Sequence, residues 1–310
     1  MFISVVIPTY NRLPILKKCL LSLEKQYLCS HINGYEVVVV DDGSTDNTIE
    51  YLQVEKSNYP HLKLIQQEHA GPGQGRNKGV ENSQGDVIIF IDSDLVVNPH
   101  FLTSHANSLL KAWNKYTTKK LFTYGAVINT SNFTNPESES YKLTDLSWAY
   151  FATGNVAIDK NVLLQSGLFD PAFKLYGWED LELGERLRTM GVRLIKCPAA
   201  KGYHWHPALK LSQISDLIRI EKERAKMALV FYQKHPTLRV RFITQFTYLH
   251  RFIWEILTLG GMINIRTLHP ILNILIKRGY SGIAMEILRI PLNLIGVREI
   301  FREAHRLGIR

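Results

Sequence analysis

Residues 85–94 read GDVIIFIDSD, in which an uninterrupted apolar run ends directly at Asp92 and Asp94. A short run that is apolar at every position is typical of a strand covered on both faces of a parallel sheet. If the chain stays extended, the two acids project to the same side, because side chains alternate along a strand. Two adjacent carboxylates repel unless a cation bridges them, and hard divalent ions take such ligands. A turn or helix N-cap ahead of Asn98-Pro99 would use the same acids, so both roles stay open.

Similar runs occur along the first two-thirds of the chain. They are ISVVI (3–7), EVVVV (36–40), LKLI (62–65) and FTYGAVI (122–128). Helical patterns lie between the early runs: leucines recur at helical spacing over 13–23, and Asp46 is placed to cap a helix over 47–56. Strands that alternate with helices predict a mostly parallel α/β sheet.

Polar residues follow two further strands, where open α/β sheets bind ligands. Pro8, Thr9 and Asn11 follow the first strand, and Asp41 and Asp42 follow the second. A functional carboxylate here would accept hydrogen bonds from a base or a ribose. A simple turn with Asx hydrogen bonding explains the DDGS sequence equally well.

The stretch GPGQGRNKGV (71–80) is rich in glycine and leads into a helix. It is not a phosphate loop, because the G-K-[ST] ending is absent and the G-x-G-x-x-G pattern fails. Its glycines are also explained by a turn. Arg76 beside the helix start would suit a phosphate or a base edge.

Residues 176–186, YGWEDLELGER, crowd four carboxylates into seven positions: Glu179, Asp180, Glu182 and Glu185. If a helix runs from about 180 to 190, the last two lie beyond its first turn and reach solvent or pair with Arg186 and Arg188. Asp180 lies at the N-terminal end, where the helix dipole favours its ionised form. The cluster is therefore either a stabilised helix start or the location of a proton-accepting acid.

From about residue 207 only helical patterns remain. Residues 211–310 carry 16 Lys and Arg against 7 Asp and Glu, which accounts for the whole net charge of +9. We expect an α/β domain over 1–207 and a basic, all-helical extension over 208–310. A basic surface favours an anionic partner, but no nucleic-acid-binding module is recognisable, so nucleic acid is disfavoured.

The sequence RFIWEILTLGGMINIR (251–266), with Trp254 and flanking arginines, suits an amphipathic surface on anionic lipid. Packing of this extension on the α/β domain, with its arginines in water, is the alternative. The N-terminus MFISVVIPTYNR is typical of a first strand and not of a signal peptide. Three cysteines without metal-type spacing fit a reducing compartment. We therefore expect a cytoplasmic protein, on the inner face of the membrane if the lipid interpretation holds.

Taken in order, several stretches of residues 3–206 resemble family 2 glycosyltransferases of the GT-A fold. They are SVVIPTYNR, VVVVDDGSTDNT, GPGQGRNKGV, GDVIIFIDSD, TGNVAIDK, GWEDLELGERLRTMGV and YHWH. The resemblance implies a Rossmann-like mixed sheet flanked by helices. It also implies inverting transfer of one sugar from a nucleotide-sugar, UDP-sugar by default, to a glycan or lipid-linked acceptor in cell-surface polysaccharide or glycoconjugate synthesis. The Q-x-x-R-W signature of processive synthases is absent, so we expect a non-processive enzyme.

The resemblance also assigns roles to individual residues. Pro8, Thr9 and Asp42 would contact the base, with Asn11 and Asp41 nearby. Arg76 would support the nucleotide, and Asp92 would approach the ribose or the metal. Gly154 and Asn155 would lie in the loop beside the donor sugar. Asp94 would hold Mn²⁺ or Mg²⁺, with His204 completing the metal site, although His206 two residues on fits as well. Asp180 matches the general base, with Glu179 second. Trp178 either stacks on a sugar or belongs to the core.

Two other functions share most of these motifs. A non-catalytic nucleotide-sugar-binding partner of a synthase complex would not need Asp180. A sugar nucleotidyltransferase would release pyrophosphate and would carry a glycine-rich N-terminal loop, where this chain has PTYNR.

Overall fold

A computed structural model describes residues 1–142, 145 and 149–309 of the chain. The chain divides into two compact units. The sheet unit comprises Met1–Pro171 and Glu179–His206, and the helical unit comprises Ala172–Trp178 and Pro207–Arg310. The short segment Ala172–Trp178, which the sequence placed in the first domain, therefore belongs with the helical unit by its contacts.

The described residues of the sheet unit form one eight-stranded sheet in the order β3-β2-β1-β4-β7-β6-β8-β5. Its strands are β1 Phe2–Thr9, β2 Gly34–Asp41, β3 Leu62–Gln66, β4 Val87–Ile91, β5 Leu95–Val97, β6 Leu121–Thr130, β7 Asn155–Asp159 and β8 Arg193–Trp205. The first four strands of the order pair in parallel, whereas β7 is antiparallel to β4 and β6, and β5 is antiparallel to β8. The sheet is thus mixed, as the family resemblance implied.

All five strands expected from apolar runs are confirmed, and β5, β7 and β8 are additional. The runs succeed because both faces of the sheet are covered. In β2, Val37 and Val39 pack into one core while Val38 and Val40 pack into the other. Strands buried on both faces show no polar alternation.

The helices of the sheet unit are α1 Leu13–Glu24, α2 Thr48–Val54, α3 Pro72–Glu81, α4 Phe101–Tyr116, α5 Lys160–Gln165 and α6 Glu179–Thr189. The leucine pattern over 13–23 correctly predicted α1. The expected cap of a helix over 47–56 is wrong: α2 begins at Thr48 with Asn47 before it. Asp46 instead accepts a hydrogen bond from the backbone N–H of Leu13, 2.9 Å away, and so fixes the start of α1.

The helical unit contains α7 Ile214–Lys234, α8 Leu238–Ile243, α9 Tyr248–Leu257, α10 Ile265–Lys277 and α11 Ser281–Arg306. Two small cores hold it together, one around Leu272, Ala284 and Leu288 and the other around Leu229 and Ile300. In the described part of the chain, none of the helices is both long and apolar enough for a membrane crossing.

Candidate functional site

Two carboxylates and one imidazole converge where β4 ends. Asp92 follows β4 directly, Asp94 precedes β5, and His204 lies opposite Leu95 in the antiparallel pairing of β5 with β8. One potential ligand atom from each of the three residues lies within 4.8 Å of the others. The separation suits a single cation, since carboxylate and imidazole ligands bind at about 2.0–2.2 Å.

The contact between Asp94 and His204 favours the charged form of each group. Burial alone would raise the pKa of Asp94, but the hydrogen bond from His204, together with nearby positive charge, lowers it. Burial alone would lower the pKa of His204, but its 2.8 Å contact with the Asp94 carboxylate raises it. His206 is different, because burial and the His204 charge lower its pKa to about 4. Its Nε2 lies 3.0 Å from Oδ1 of Asn129, outside the cluster.

Two arginines neutralise the same carboxylates. Arg12 contacts Asp94 at 2.8 Å, and Arg76 contacts Asp92 at 2.9 Å. Arg76 is buried and also reaches Glu179 at 3.4 Å, so it connects the end of β4 with the start of α6. Its Nε lacks a hydrogen-bond partner among the described residues. Sequence reasoning missed Arg12, although a basic residue directly after the PTYN strand end was a usable signal.

The acid pair Glu179 and Asp180 begins α6, as the sequence predicted. Oδ1 of Asp180 accepts a hydrogen bond from the N–H of Leu181 at 2.8 Å. Burial, reinforced by the Glu179 charge, nevertheless raises the pKa of Asp180 to about 7, against the opposing effect of Arg76. Burial and the Glu179 charge thus act against the helix dipole, which the sequence predicted to favour the ionised form of this acid.

The two later acids of the cluster are not solvated. Glu182 and Glu185 are buried. They pair with Arg186 at 2.6 Å and with Arg188 at 2.7 Å. The pairing alternative is confirmed and the solvent alternative is wrong. Glu182 also lies within the first turn of α6 and not beyond it, because the helix begins at Glu179.

The acids after β2 shape the neighbouring loops. Asp42 is buried and accepts hydrogen bonds from Gln67 and from the backbone N–H groups of Ala70 and Gly71, at 2.6 to 2.9 Å. It thereby holds the glycine-rich turn before α3. Asp41 accepts from the N–H of Ser44 at 3.0 Å, which is the turn that DDGS predicted.

Two buried oxygens near these turns are without a partner in the described part of the chain. They are Oδ1 of Asp41 and Oγ1 of Thr9. The two residues face each other in the pairing of β1 with β2. Buried polar atoms are normally hydrogen-bonded, so this pair is suited to a ligand with polar groups.

Asn11 and Pro8 lie in the same strand-end region. Asn11 has a left-handed backbone with a φ of 52°. Its N–H donates to Ser44 and its Oδ1 accepts from the N–H of Thr45, which ties the two loops together. A Cβ on Gly75 would lie 3.1 Å from Pro8, so the glycine lets α3 approach β1 closely.

An exposed aromatic pair lies beside these turns. The rings of Tyr10 and His69 are 4.5 Å apart between centroids, and 44% of Tyr10 is exposed. Sequence reasoning did not single out either residue. The signal that could have found them was an aromatic residue within a strand-end turn.

Gly154 and Asn155 occupy different environments. A Cβ on Gly154 would lie 3.2 Å from Oδ2 of Asp92, so the backbone passes close to the site. Asn155 begins β7 and is fully buried, and it accepts from His105 Nε2 and donates to Ala126 and Ala200. The expectation that Asn155 lies in a loop beside a donor sugar is therefore wrong. The residue belongs to a strand, and its side-chain amide forms hydrogen bonds within the sheet unit.

Trp178 belongs to the helical unit. Its indole N–H donates to the backbone oxygen of Arg224 at 2.8 Å, and the Arg224 guanidinium lies 5.1 Å from the ring centroid. It is half-buried and packs with Ala225 and Leu229. These contacts are those of the core alternative.

Curated proteins are similar in sequence to part of this chain. The chain is 27% identical over 241 residues to an uncharacterised glycosyltransferase of Bacillus subtilis, YfnE, covering 61% of this chain and 61% of that protein. It is 29% identical over 242 residues to chondroitin synthase of Escherichia coli, covering 66% of this chain and 35% of the synthase. The chain thus spans less than two-thirds of these relatives.

Solved structures share the fold. A mannosyltransferase from Pyrobaculum calidifontis, in complex with GDP-Man and Mn²⁺, has a TM-score of 0.60 at 19% identity, covering 96% of this chain and 85% of that one. S. aureus TarS 1–349, in complex with UDP-GlcNAc, has a TM-score of 0.52 at 17% identity, covering 100% and 93%. The GT-A fold expected from the sequence is confirmed. The family model for glycosyl transferase family 2 matches residues 4–162, half of the chain, and the chain therefore belongs to that family.

Proposed function

We propose that this protein is an inverting, metal-dependent glycosyltransferase that moves one sugar from a nucleotide-sugar to a hydroxyl of a glycan or lipid-linked acceptor. One observation carries the proposal. Buried Arg76 joins Asp92, in a group able to hold a cation, to Glu179, next to an acid whose pKa is raised to about 7. The proposed diphosphate site and the proposed base are thus close to each other.

The donor would bind over the carboxyl ends of β1, β2 and β4. The unpartnered oxygens of Thr9 and Asp41 offer hydrogen bonds to a base or a ribose. The exposed rings of Tyr10 and His69 offer a stacking surface. Arg12 and Arg76 are placed to bind phosphate oxygens, for which a guanidinium is well suited. UDP is our default nucleotide, since TarS and other neighbours of this fold bind UDP or UDP-sugars.

The residues present fit a divalent cation. Asp92, Asp94 and His204 would hold it, and when bound it would neutralise charge on the leaving diphosphate. Carboxylates suit both Mg²⁺ and Mn²⁺, but an imidazole ligand favours the softer Mn²⁺. Manganese is therefore the proposed ion, with His204 and not His206 as the ligand.

Asp180 would accept the proton of the acceptor hydroxyl as it attacks opposite the leaving diphosphate, which inverts the anomeric centre. A carboxylate with a pKa of about 7 is ionised to a large extent at neutral pH and is more basic than an ordinary aspartate. Glu179 would raise that basicity by its charge. A glycosidase would need a second carboxyl group on the other side of the bond.

We further propose non-processive transfer in polysaccharide or glycoconjugate synthesis, at the cytoplasmic face of a membrane. The synthase relatives act in polymer formation by their names, and an acceptor carried on lipid would be reached from that face.

The test is nucleotide release from UDP-, GDP- and dTDP-sugars with Mn²⁺, Mg²⁺ or EDTA. We expect release of one nucleotide that requires metal and is lost in Asp180→Asn. Asp216→Asn, a change at an exposed helix start of the helical unit, is the matched control and should retain full release. Binding of no donor, with or without metal, would overturn the proposal.

Two alternatives give different readouts. A non-catalytic binding partner would bind a donor, and transfer would remain absent with every acceptor supplied. A sugar nucleotidyltransferase would release pyrophosphate from a nucleoside triphosphate and a sugar phosphate.

A further inference from the structure

Helix α9 exposes its apolar face instead of burying it. None of its ten residues, all within the described part of the chain, is buried. Six large apolar side chains, between 40% and 76% exposed, form what we call the apolar stripe: Tyr248, Leu249, Phe252, Ile253, Ile256 and Leu257. They are adjacent pairs repeated every four residues, so they lie on one side of the helix. An ordinary surface helix turns such a face to the core.

The other side chains of α9 explain why the helix is oriented this way. Trp254 is half-buried, and its indole N–H donates to Gln245 at 2.7 Å. Glu255 forms a two-point ion pair with Arg298 of α11, at 2.6 and 2.8 Å. The polar side chains therefore fix α9 to the rest of the helical unit, and the apolar stripe is left in contact with solvent. Trp254, which the sequence assigned to the lipid-facing surface, therefore faces the interior of the helical unit.

The exposed apolar surface continues beyond the helix. Leu259 and Met262, in the turn after α9, are 61% and 72% exposed. Exposed apolar side chains grouped along the chain in this way are typical of an interaction site in a folded protein.

Basic residues border the apolar stripe. A cleft of about 390 Å³ beside it is lined by Arg251, Glu255, Arg298, Phe301 and Arg302. Arg251 directly precedes Phe252 on α9, and its guanidinium lies 5.3 Å from the ring centroid of Phe301. Arg298 is paired with Glu255, and Arg302 is paired with Glu299. Arg251 adds a further positive charge, so the cleft keeps a net positive charge that suits an anionic headgroup.

We infer that the apolar stripe is a docking surface for an anionic lipid bilayer. Its apolar side chains enter the boundary between headgroups and acyl chains, and the arginine cleft binds a lipid phosphate. A second copy of the chain is a poorer occupant, because a two-fold contact would bring the same arginine-bordered face of both copies together. The inference deepens the proposed function by naming the surface that would bring the enzyme to a lipid-linked acceptor, and it rests on that function only for this purpose.

The first test is co-sedimentation of the full chain with vesicles of phosphatidylcholine alone or with about 30% phosphatidylglycerol. Phe252→Ser combined with Ile256→Ser should lower the partition onto anionic vesicles about 100-fold, since two buried apolar side chains are lost. The control replaces exposed apolar residues of the sheet unit, Val54→Ser with Leu164→Ser, and should bind like the wild type. All of these positions are exposed, so the variants should fold, which circular dichroism checks.

The second test addresses charge. Arg251→Gln with Arg302→Gln should lower anionic-vesicle binding about 30-fold, because each basic residue near such a surface contributes roughly fivefold. Lys196→Gln with Lys201→Gln removes the same net charge from the sheet unit and should change binding little.

Three results would overturn the inference. They are equal wild-type binding to neutral and anionic vesicles, unchanged binding by the Phe252 and Ile256 variant, or a lipid-free dimer that this variant converts to a monomer. Nucleotide release without membranes reports on the proposed reaction separately. The variant should retain it, and its absence in the wild type would count against the reaction and leave the docking surface intact.

Discussion

Replacing Asp180 with asparagine should abolish transfer and stabilise the protein at the same time. The folded protein raises the pKa of this carboxyl from an ordinary 3.8 to about 7. A group with a raised folded pKa contributes stability that is fully present below about pH 4 and is lost as the pH rises through 7. An uncharged asparagine does not incur this loss.

The size of the effect follows from the two pKa values. Their separation corresponds to an upper limit of about 4 kcal/mol at pH 8. At pH 5.5 roughly half of that difference has developed, so the advantage of Asp180→Asn should grow by about 2 kcal/mol between pH 5.5 and 8. Loss of a general base should lower transfer by about 10² to 10⁴-fold at pH 8 and by less at pH 5.5, where the wild-type carboxyl is already mostly protonated.

Urea denaturation at both pH values, together with transfer rates on the same preparations, tests this prediction. Asp216→Asn is the control and should change the unfolding free energy by less than about 0.5 kcal/mol at either pH. A stability difference between Asp180→Asn and wild type that does not vary with pH would refute the raised pKa. Retained transfer would refute the assignment of the base.

The remaining predictions concern the neighbours of this acid and of the metal ligands. Glu179→Gln removes a charge that raises the pKa of Asp180, so the acid limb of the pH–rate profile should move about one pH unit lower; an unmoved limb would show that burial alone sets the pKa. Asn155→Ala should destabilise the protein by about 2–4 kcal/mol in urea denaturation, because His105 and two backbone oxygens lose buried partners. The same variant should leave the KM for the donor unchanged. A large rise in KM would instead support a role for Asn155 in donor binding. His204→Ala should weaken Mn²⁺ binding about 10 to 100-fold in a metal titration, whereas His206→Ala should not.

Sequence reasoning succeeded where the information is local. The apolar runs of β1, β2 and β4 predicted strands because each is covered on both faces, and the acids could be located because they come directly after those runs. It failed for β5, which is only three residues long, for β7, which has three apolar residues between Asn155 and Asp159, and for β8, whose run is interrupted at Pro198. Short or interrupted strands gain their stability from neighbours that the local pattern does not show.

The residues of the candidate site also differ in whether local sequence predicts their contacts. Asp92 and Asp94 could be paired from the sequence because they are two residues apart. The contact of Arg76 with Glu179 joins residues 103 positions apart, and no spacing predicts it. The choice of His204 over His206 depends on the pairing of β8 with β5, and the burial of Asn155 depends on its place at the start of β7.

The α/β order of elements, the acids at the strand ends, the family and the basic helical extension can all be read from the linear chain, because periodicity, residue type and charge are properties of neighbouring positions. Which groups share a charge environment depends on the folded structure. It set the pKa of Asp180 through burial and Glu179, and it turned the apolar stripe of α9 outward because Trp254 and Glu255 found polar partners in the helical unit. Burial and electrostatic coupling depend on three-dimensional distance, which a linear pattern does not contain.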